Sequence, residues 1–183
     1  GSGAMPFDII VASGPNASLP HAVPSGRAFR GGEPVVIDLG ASVDGYCSDI
    51  TRTFFLDRID AQFESIYREV LSAQCSAISG LASGMVARDA DALARTALEA
   101  SGLGASFTHG LGHGVGLEIH ERPSVNSRST SLLLDGMVFT IEPGVYVPGQ
   151  GGVRIEDTVV LRNGRAEQLT RAAKGDPVVA VRR

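Results

Sequence analysis

VVIDLGASVDGYCSDITRTFF, residues 35–55, is two extended stretches joined by Asp44-Gly45. Asp-Gly between such stretches signals a two-residue hairpin turn of the primed type. With that turn, Val43 faces Tyr46 and Asp38 faces Thr51. Asp49 then sits two residues from the position opposite Asp38, on the same face of the sheet, where diagonal neighbours lie roughly 7–8 Å apart at the backbone. Two inward carboxylates at that separation can share a metal cluster. Either aspartate could instead serve a turn or a cap, but Asp38 interrupts the apolar run VVID, where an unpaired carboxylate is costly to bury.

Upstream, FDIIVAS (7–13) reads as a strand, and Gly14-Pro15-Asn16 breaks it into a loop that contains His21. Val35 to Leu39 is a second strand and delivers Asp38. Downstream, Phe63, Ile66, Tyr67, Val70, Leu71, Ile78 and Leu81 recur at three- and four-residue spacing, which predicts an amphipathic helix from about Asp60 to Ala82, ended by Gly84. A second helix is expected from about Asp89 to Ala100, presenting Leu93, Ala94, Ala97 and Leu98 and stopping at Gly102. Both helices read as scaffold.

HGLGHGVGLEIHERP (109–123) spends three of the four histidines within twelve residues. Four interleaved glycines argue against a helix, so an extended segment is expected, with His109 and His113 on one face by the period of two. His120 breaks that parity and needs a bend. A phosphate cradle is the rival reading, but the segment has no GxGxxG, no GxxxxGK[ST] and no lysine. The last third holds two more strands, VFTIE and VRIEDTVVL, joined by a loop from Pro143 to Gly152. A symmetric hairpin centred on Gly149 would put Glu142 opposite Glu156, though a loop of that length leaves the register open. Arg154 shares the face of Glu156 and could pair with it or hold a substrate carboxylate or carbonyl.

Asp38, Asp49, His113, Glu142 and Glu156 thus form a donor set rich in oxygen, suited to a pair of hard or borderline divalent ions such as manganese. Bulk properties narrow the setting. A chain of 183 residues, 43% apolar, can bury roughly 70% of its unfolded surface, so one domain is the default. The 16 basic and 20 acidic residues give a net charge of -4 without a basic stripe, so no nucleic-acid partner is expected. Cys47 and Cys75 are too few for a disulfide framework and suit a reducing cytoplasm. No apolar run approaches the length of about 20 residues needed to cross a bilayer, and the amino end lacks a signal-peptide plan, so no membrane partner is expected.

LPHAVPSG (19–26), IDLGASVDGYCSDITRTF (37–54), HGLGHGVGLEIHERP (109–123) and GMVFTIEPGVYVPGQGGVRIED (136–157) together resemble the four signature regions of the proline-specific dipeptidase (prolidase) and aminopeptidase P group of pita-bread metallopeptidases. The likeness covers about Phe7 to Leu169. It implies an α+β fold, a curved antiparallel sheet with flanking helices, and hydrolysis of the bond before proline by a metal-bridging hydroxide. Methionine aminopeptidases share the ligand set, but GYCSDITRTF and GVRIED resemble the proline-specific branch more. Creatinase shares the fold without the complete metal set.

By this resemblance Asp38 would chelate one ion, Asp49 and Glu156 would bridge both, and His113 and Glu142 would complete the other shell. Manganese is favoured, with cobalt or zinc as substitutes. Glu142 would accept the water's proton, and His109 and His120 would stabilise the oxyanion, position the substrate or protonate the leaving nitrogen. His21, His120 and Arg154 would line the substrate pocket, Arg154 supporting Glu156 or the substrate's end. The partner would be a proline-containing dipeptide or peptide.

Family catalytic domains begin with helices before FDIIVAS, and the enzymes usually carry an amino-terminal domain. Residues 1–5 are a small, featureless lead that could be a cloning remnant, with Met5 as a candidate original start. Residues 6–183 read as a catalytic domain lacking its first helices and amino-terminal domain. An exposed apolar face is expected, or a homodimer or partner that covers it. A silent peptide-binding module and a metal-binding but inactive fragment are the remaining readings.

Overall fold

A computed structural model describes residues 3 and 5–181; Gly1, Ser2 and Ala4 of the lead, with Arg182 and Arg183, lie outside the described residues. The chain lays down β1 (Ile10–Ser13), a 3-10 turn at Gly14–Ser18, β2 (Pro34–Leu39), the short pair β3 (Ser42–Val43) and β4 (Tyr46–Cys47), and β5 (Ile50–Leu56). Two helices follow, α1 (Ala61–Gly80) and α2 (Ala87–Ala100). The remainder is β6 (Gly112–Gly114), β7 (Glu121–Val125), β8 (Val138–Ile141), β9 (Gly144–Val147), β10 (Gly151–Arg154), β11 (Asp157–Arg162), β12 (Arg165–Gln168) and β13 (Val178–Val179).

The strands assemble into one sheet ordered β1-β2-β5-β13, a second ordered β12-β11-β8-β6-β7, and the hairpins β3-β4 and β9-β10. Among these strands every pairing is antiparallel except β13 on β5. The turn expected at Asp44-Gly45 forms as read: both residues have positive φ, 51° and 85°, Val43 pairs with Tyr46, and Asp38 pairs with Thr51.

Helix α1 buries Phe63, Ile66, Tyr67, Val70, Ala73 and Ala77, and α2 buries Ala87, Ala90, Ala94 and Leu98. Together they close one core with Phe139, Ile141, Val153, Ile155 and Val159 from the strands. Cutting a side chain such as the fully buried Phe139 back to alanine would cost about 3–5 kcal/mol. Two helix ends differ from expectation. α1 stops at Gly80, because Leu81 is extended and buries into the core, while Gly84, at φ 88°, serves the turn that follows. α2 starts two residues before Asp89 and ends as expected, with Gly102 at φ 76° and the Leu103 amide donating to the Leu98 carbonyl.

The expected loop from Pro143 to Gly152 is mostly the β9-β10 hairpin, turning through Gly149 at φ 71°. Its register runs from Val147 opposite Gly151 to Gly144 opposite Arg154, and continues unshifted into Ile141 opposite Asp157. Glu142 and Glu156 therefore face one another where the ladder is interrupted. Their amides bond sideways instead, Glu142 to the Leu111 carbonyl at 2.8 Å and Glu156 to the Thr51 carbonyl at 3.1 Å. Those two bonds satisfy the interrupted backbone and bring the histidine segment and the β5 hairpin to the glutamate pair.

Candidate active site

A cavity of about 820 Å³ opens where these pieces meet, lined among others by Asp38, Asp49, His113, Glu142, Glu156, His21, His109, His120 and Arg154. All nine residues expected to form the site therefore meet in one place. The histidine segment is less regular than expected. Only Gly112–Gly114 is strand, and His109 lies in the coil before it. A side chain on Gly112 would collide with the Thr140 carbonyl, and one on Gly114 with the Arg122 carbonyl, so glycine is what lets this strand close against its neighbours. A bulge after His113 and the turn that follows supply the bend that His120 needs, and its ring stacks edge-on against His113 at 4.2 Å.

The carboxylates are buried faster than they are satisfied. Asp49 and Glu156 are almost fully buried, and Asp38 is nearly so. Oδ1 of Asp38 and Oδ1 of Asp49 meet no hydrogen-bond donor. Burial first, then the charges of Asp38 and Glu142, push Asp49 up to about 8. Burial also raises Glu142 and, with Glu142 and Asp49 as neighbours, Glu156. Such a cluster needs protons or a cation to sit at neutral pH.

His113 indicates which. Its Nδ1 lies 3.0 Å from the Gly114 carbonyl, which only accepts, so Nδ1 carries the proton. Burial lowers this histidine and keeps it neutral. Nε2 then presents a bare lone pair 3.3 Å from Glu142 Oε1 and 3.6 Å from Asp49 Oδ2. Three electron-rich atoms facing one another fit a cation between them, and a backbone-anchored Nδ1–H is the usual support of a metal-ligating histidine. Donor atoms of Asp49, His113 and Glu156 all lie within 4.8 Å of one another. The residues fit divalent ions.

Arg154 departs from its expected pairing with Glu156. Its NH2 donates to Asp38 Oδ2 at 2.7 Å, its Nε to Thr51 Oγ1 at 3.1 Å, and its NH1 to the Pro20 carbonyl and to the Tyr146 hydroxyl. Thr51 in turn donates to Glu156 Oε2 at 2.6 Å, so the arginine reaches the glutamate through a threonine. Asp38 is on β2, against which β10 packs, so its carboxylate meets the guanidinium directly.

Tyr146, Thr51 and Asp91 are site residues that the sequence reading missed. His109 Nδ1 donates to the Gly110 carbonyl, so its neutral ring accepts at Nε2 from the Tyr146 hydroxyl, 2.9 Å away, and that hydroxyl accepts from Arg154. The hydrogen bonds run in one direction from guanidinium to imidazole, and both nitrogens of His109 are engaged. Asp91 on α2 pairs with Arg95, accepts from the Leu111 amide, and through Arg95 holds the His109 carbonyl at 2.8 Å. Helix α2 is thus more than scaffold. The period of two from Glu142 through Gly144 to Tyr146 was the available signal for the tyrosine.

The sequence matches the model of metallopeptidase family M24 over residues 1–163. It is 46% identical over 168 residues to the Xaa-Pro dipeptidase of Pyrococcus furiosus, covering 92% of this chain and 48% of that one. It is 44% identical over 174 residues to the uncharacterized peptidase YqhT of Bacillus subtilis, covering 95% and 49%. The prolidase structure from Pyrococcus furiosus superposes with a TM-score of 0.93 at 46% identity, over 94% of this chain and 51% of that one. The X-prolyl aminopeptidase of Caenorhabditis elegans, described as a cytosolic enzyme with a di-nuclear active site, gives 0.84 at 31%, over 92% and 30%. The chain spans about half the length of the curated relatives it matches. On the strength of this match over most of its length, and with the pita-bread architecture its structure shares with the prolidases, the chain belongs to metallopeptidase family M24.

Proposed function

We propose that this chain carries the catalytic centre of an Xaa-Pro peptidase that hydrolyses the bond before proline in dipeptides or at the amino end of longer peptides. The observation that carries the reading is the convergence of five ligand-type residues on one cavity, with buried carboxylate oxygens that meet no donor and a histidine lone pair facing two of the carboxylates. The likeness to an Xaa-Pro dipeptidase and a prolidase supports the choice of bond. Asp38, Asp49, His113, Glu142 and Glu156 would hold two divalent ions, manganese first on the chemistry of an oxygen-rich donor set, with cobalt or zinc as substitutes. Bound there, the ions would supply a lowered pKa to water and a Lewis acid for the scissile carbonyl.

The protein's own groups divide the remaining work. Glu142, with Oε1 fixed by the Thr140 hydroxyl at 2.9 Å, takes the attacking water's proton. His120, whose ring nitrogens hydrogen-bond to none of the described residues, is free to donate to the substrate carbonyl or the leaving nitrogen. His109, engaged at both nitrogens, positions rather than donates. His21 lines the wall against the substrate, and Arg154 orients Asp38 and Tyr146 instead of reaching the substrate's end.

The free cysteines Cys47 and Cys75 agree with a reducing cytoplasm, and no described helix is long and apolar enough to cross a membrane. Val43, Tyr46 and Leu117 leave an exposed apolar surface beside the β3-β4 turn that a second copy or a partner would cover. The test is hydrolysis of an Xaa-Pro dipeptide and an Xaa-Pro tripeptide by manganese-loaded protein, with metal content measured on the same sample. Turnover abolished by Glu142→Ala is the expected result. Two bound ions without turnover would indicate an inactive metal-binding fragment, and no bound ion a silent peptide-binding module.

A further inference from the structure

Alternation along the strands turns the neighbours of the site residues to the opposite side of the sheet. Behind Glu156 lies Asp157, fully buried, and behind Thr51 lies Arg52, nearly so. Asp157 Oδ1 accepts from Arg52 and from the Thr170 hydroxyl, each at 2.7 Å, and Oδ2 accepts from Gln74, Gln168 and Lys174 at 2.6–2.9 Å. Arg52 also donates NH1 to the Glu156 carbonyl at 2.5 Å and to the Thr51 carbonyl at 2.9 Å, and NH2 to the Ala172 carbonyl at 2.7 Å. Segment 168–174 lies mostly outside regular structure. Thr170 fastens it twice, its hydroxyl donating to Asp157 and accepting from the Thr158 amide at 3.1 Å. Lys174 completes the closure by also reaching Gln74 on α1 at 2.7 Å.

We propose that segment 168–174 is a strap that, acting through Asp157 and Arg52, positions the backbone of Thr51 and Glu156 so that the cavity holds its shape for divalent ions. The proposal rests on the metal-site reading above. Four carboxylates crowded on the cavity side repel one another, and the carbonyls of Glu156 and of Thr51, whose hydroxyl holds the Glu156 carboxylate, are fixed from behind by a guanidinium clamped between strap and strands. The network touches no ligand oxygen, so its members are positioning residues.

Lys174 is the only lysine in the chain, which makes its acylation a direct probe of strap closure. Thr170→Val removes the double fastening without altering shape, and Thr170→Ser keeps it. The measurements are the rate of Lys174 acylation by an amine-reactive ester, read by peptide mass, and calorimetric titration with Mn2+ alone. Expected for Thr170→Val are faster acylation and Mn2+ binding weakened about 10–100-fold, the range found when groups supporting metal ligands are removed. Thr170→Ser should behave as the parent protein. Faster acylation with unchanged Mn2+ affinity would make the strap merely structural and overturn the proposal, as would no change in either measurement. If Thr170→Val does not fold, Lys174→Gln at the strap's far end is titrated with Mn2+ to the same criterion. A parent protein that takes up no Mn2+ sinks the metallopeptidase reading itself, a result distinct from variants that open the strap without losing the ion.

Discussion

Glu156 and Asp157 are adjacent, both almost wholly buried, and chemically opposite. Asp157 receives five donors and is held below the usual carboxylate range, its burial outweighed by Arg52, Lys174, Thr170 and Gln74. Glu156 accepts from Thr51 but faces Glu142, Asp49 and Asp38, and it is raised. Asp38 and Asp49 each keep an oxygen that meets no donor. The same desolvation cost is met from within the chain on one side of the sheet and left for something outside the chain on the other. A satisfied buried carboxylate is architecture, and an unsatisfied cluster of them marks a candidate binding site.

The sharpest test of that contrast is on the cavity side. Glu142→Gln should lower kcat/KM on an Xaa-Pro substrate by about 10²–10⁴-fold, the usual contribution of a positioned proton acceptor, without lowering the melting temperature of the ion-free protein. On the back, Asp157→Asn strands Arg52 and Lys174 and should cost about 3–5 kcal/mol in urea unfolding. Glu156→Gln, in ion-free protein, relieves repulsion and should raise stability, so a loss comparable to that of Asp157→Asn would break the comparison.

Asp49 binds protons more tightly folded than unfolded, its pKa raised from 3.8 to about 8. Its folded form is therefore progressively penalised between those values, and ion-free protein should lose melting temperature from pH 5 to pH 8. Asp49→Asn should flatten that slope, and Mn2+ should restore stability at the alkaline end. Asp157 runs the other way: its stabilisation is present above the ordinary aspartate value and is lost as pH falls through its lowered one. A melting profile that rises from pH 5 to pH 8 without ions would contradict the assignment. Tyr146→Phe is the mildest change, leaving His109 Nε2 and one Arg154 donor without a partner, and should cost about 1–3 kcal/mol in stability or transition-state binding.

Much of the cavity side was legible because its signals are local. Asp44-Gly45 dictated a two-residue turn, and the turn dictated that Asp38 meets Thr51 with Asp49 on the diagonal. The histidines stood out among glycines. The back network was not legible, since Arg52, Gln74, Asp157 and Lys174 are scattered over more than a hundred positions and each alone reads as an ordinary surface residue. Arg154 shows the limit at short range: spacing of two placed it beside Glu156, but a partner on another strand, Asp38, offered the better geometry.

From the sequence alone came the donor types, the hairpin that pairs two of them, the helical scaffold and the resemblance that made a two-ion site the expectation. Register across the Pro143 to Gly152 stretch, the His109–Tyr146–Arg154 chain and the division of carboxylates into satisfied and unsatisfied were decided only by the tertiary structure. The reason is physical. Turn chemistry and periodicity act over a few residues and are written into neighbouring side chains, whereas the satisfaction of a buried charge depends on which distant donors the folded chain carries to it.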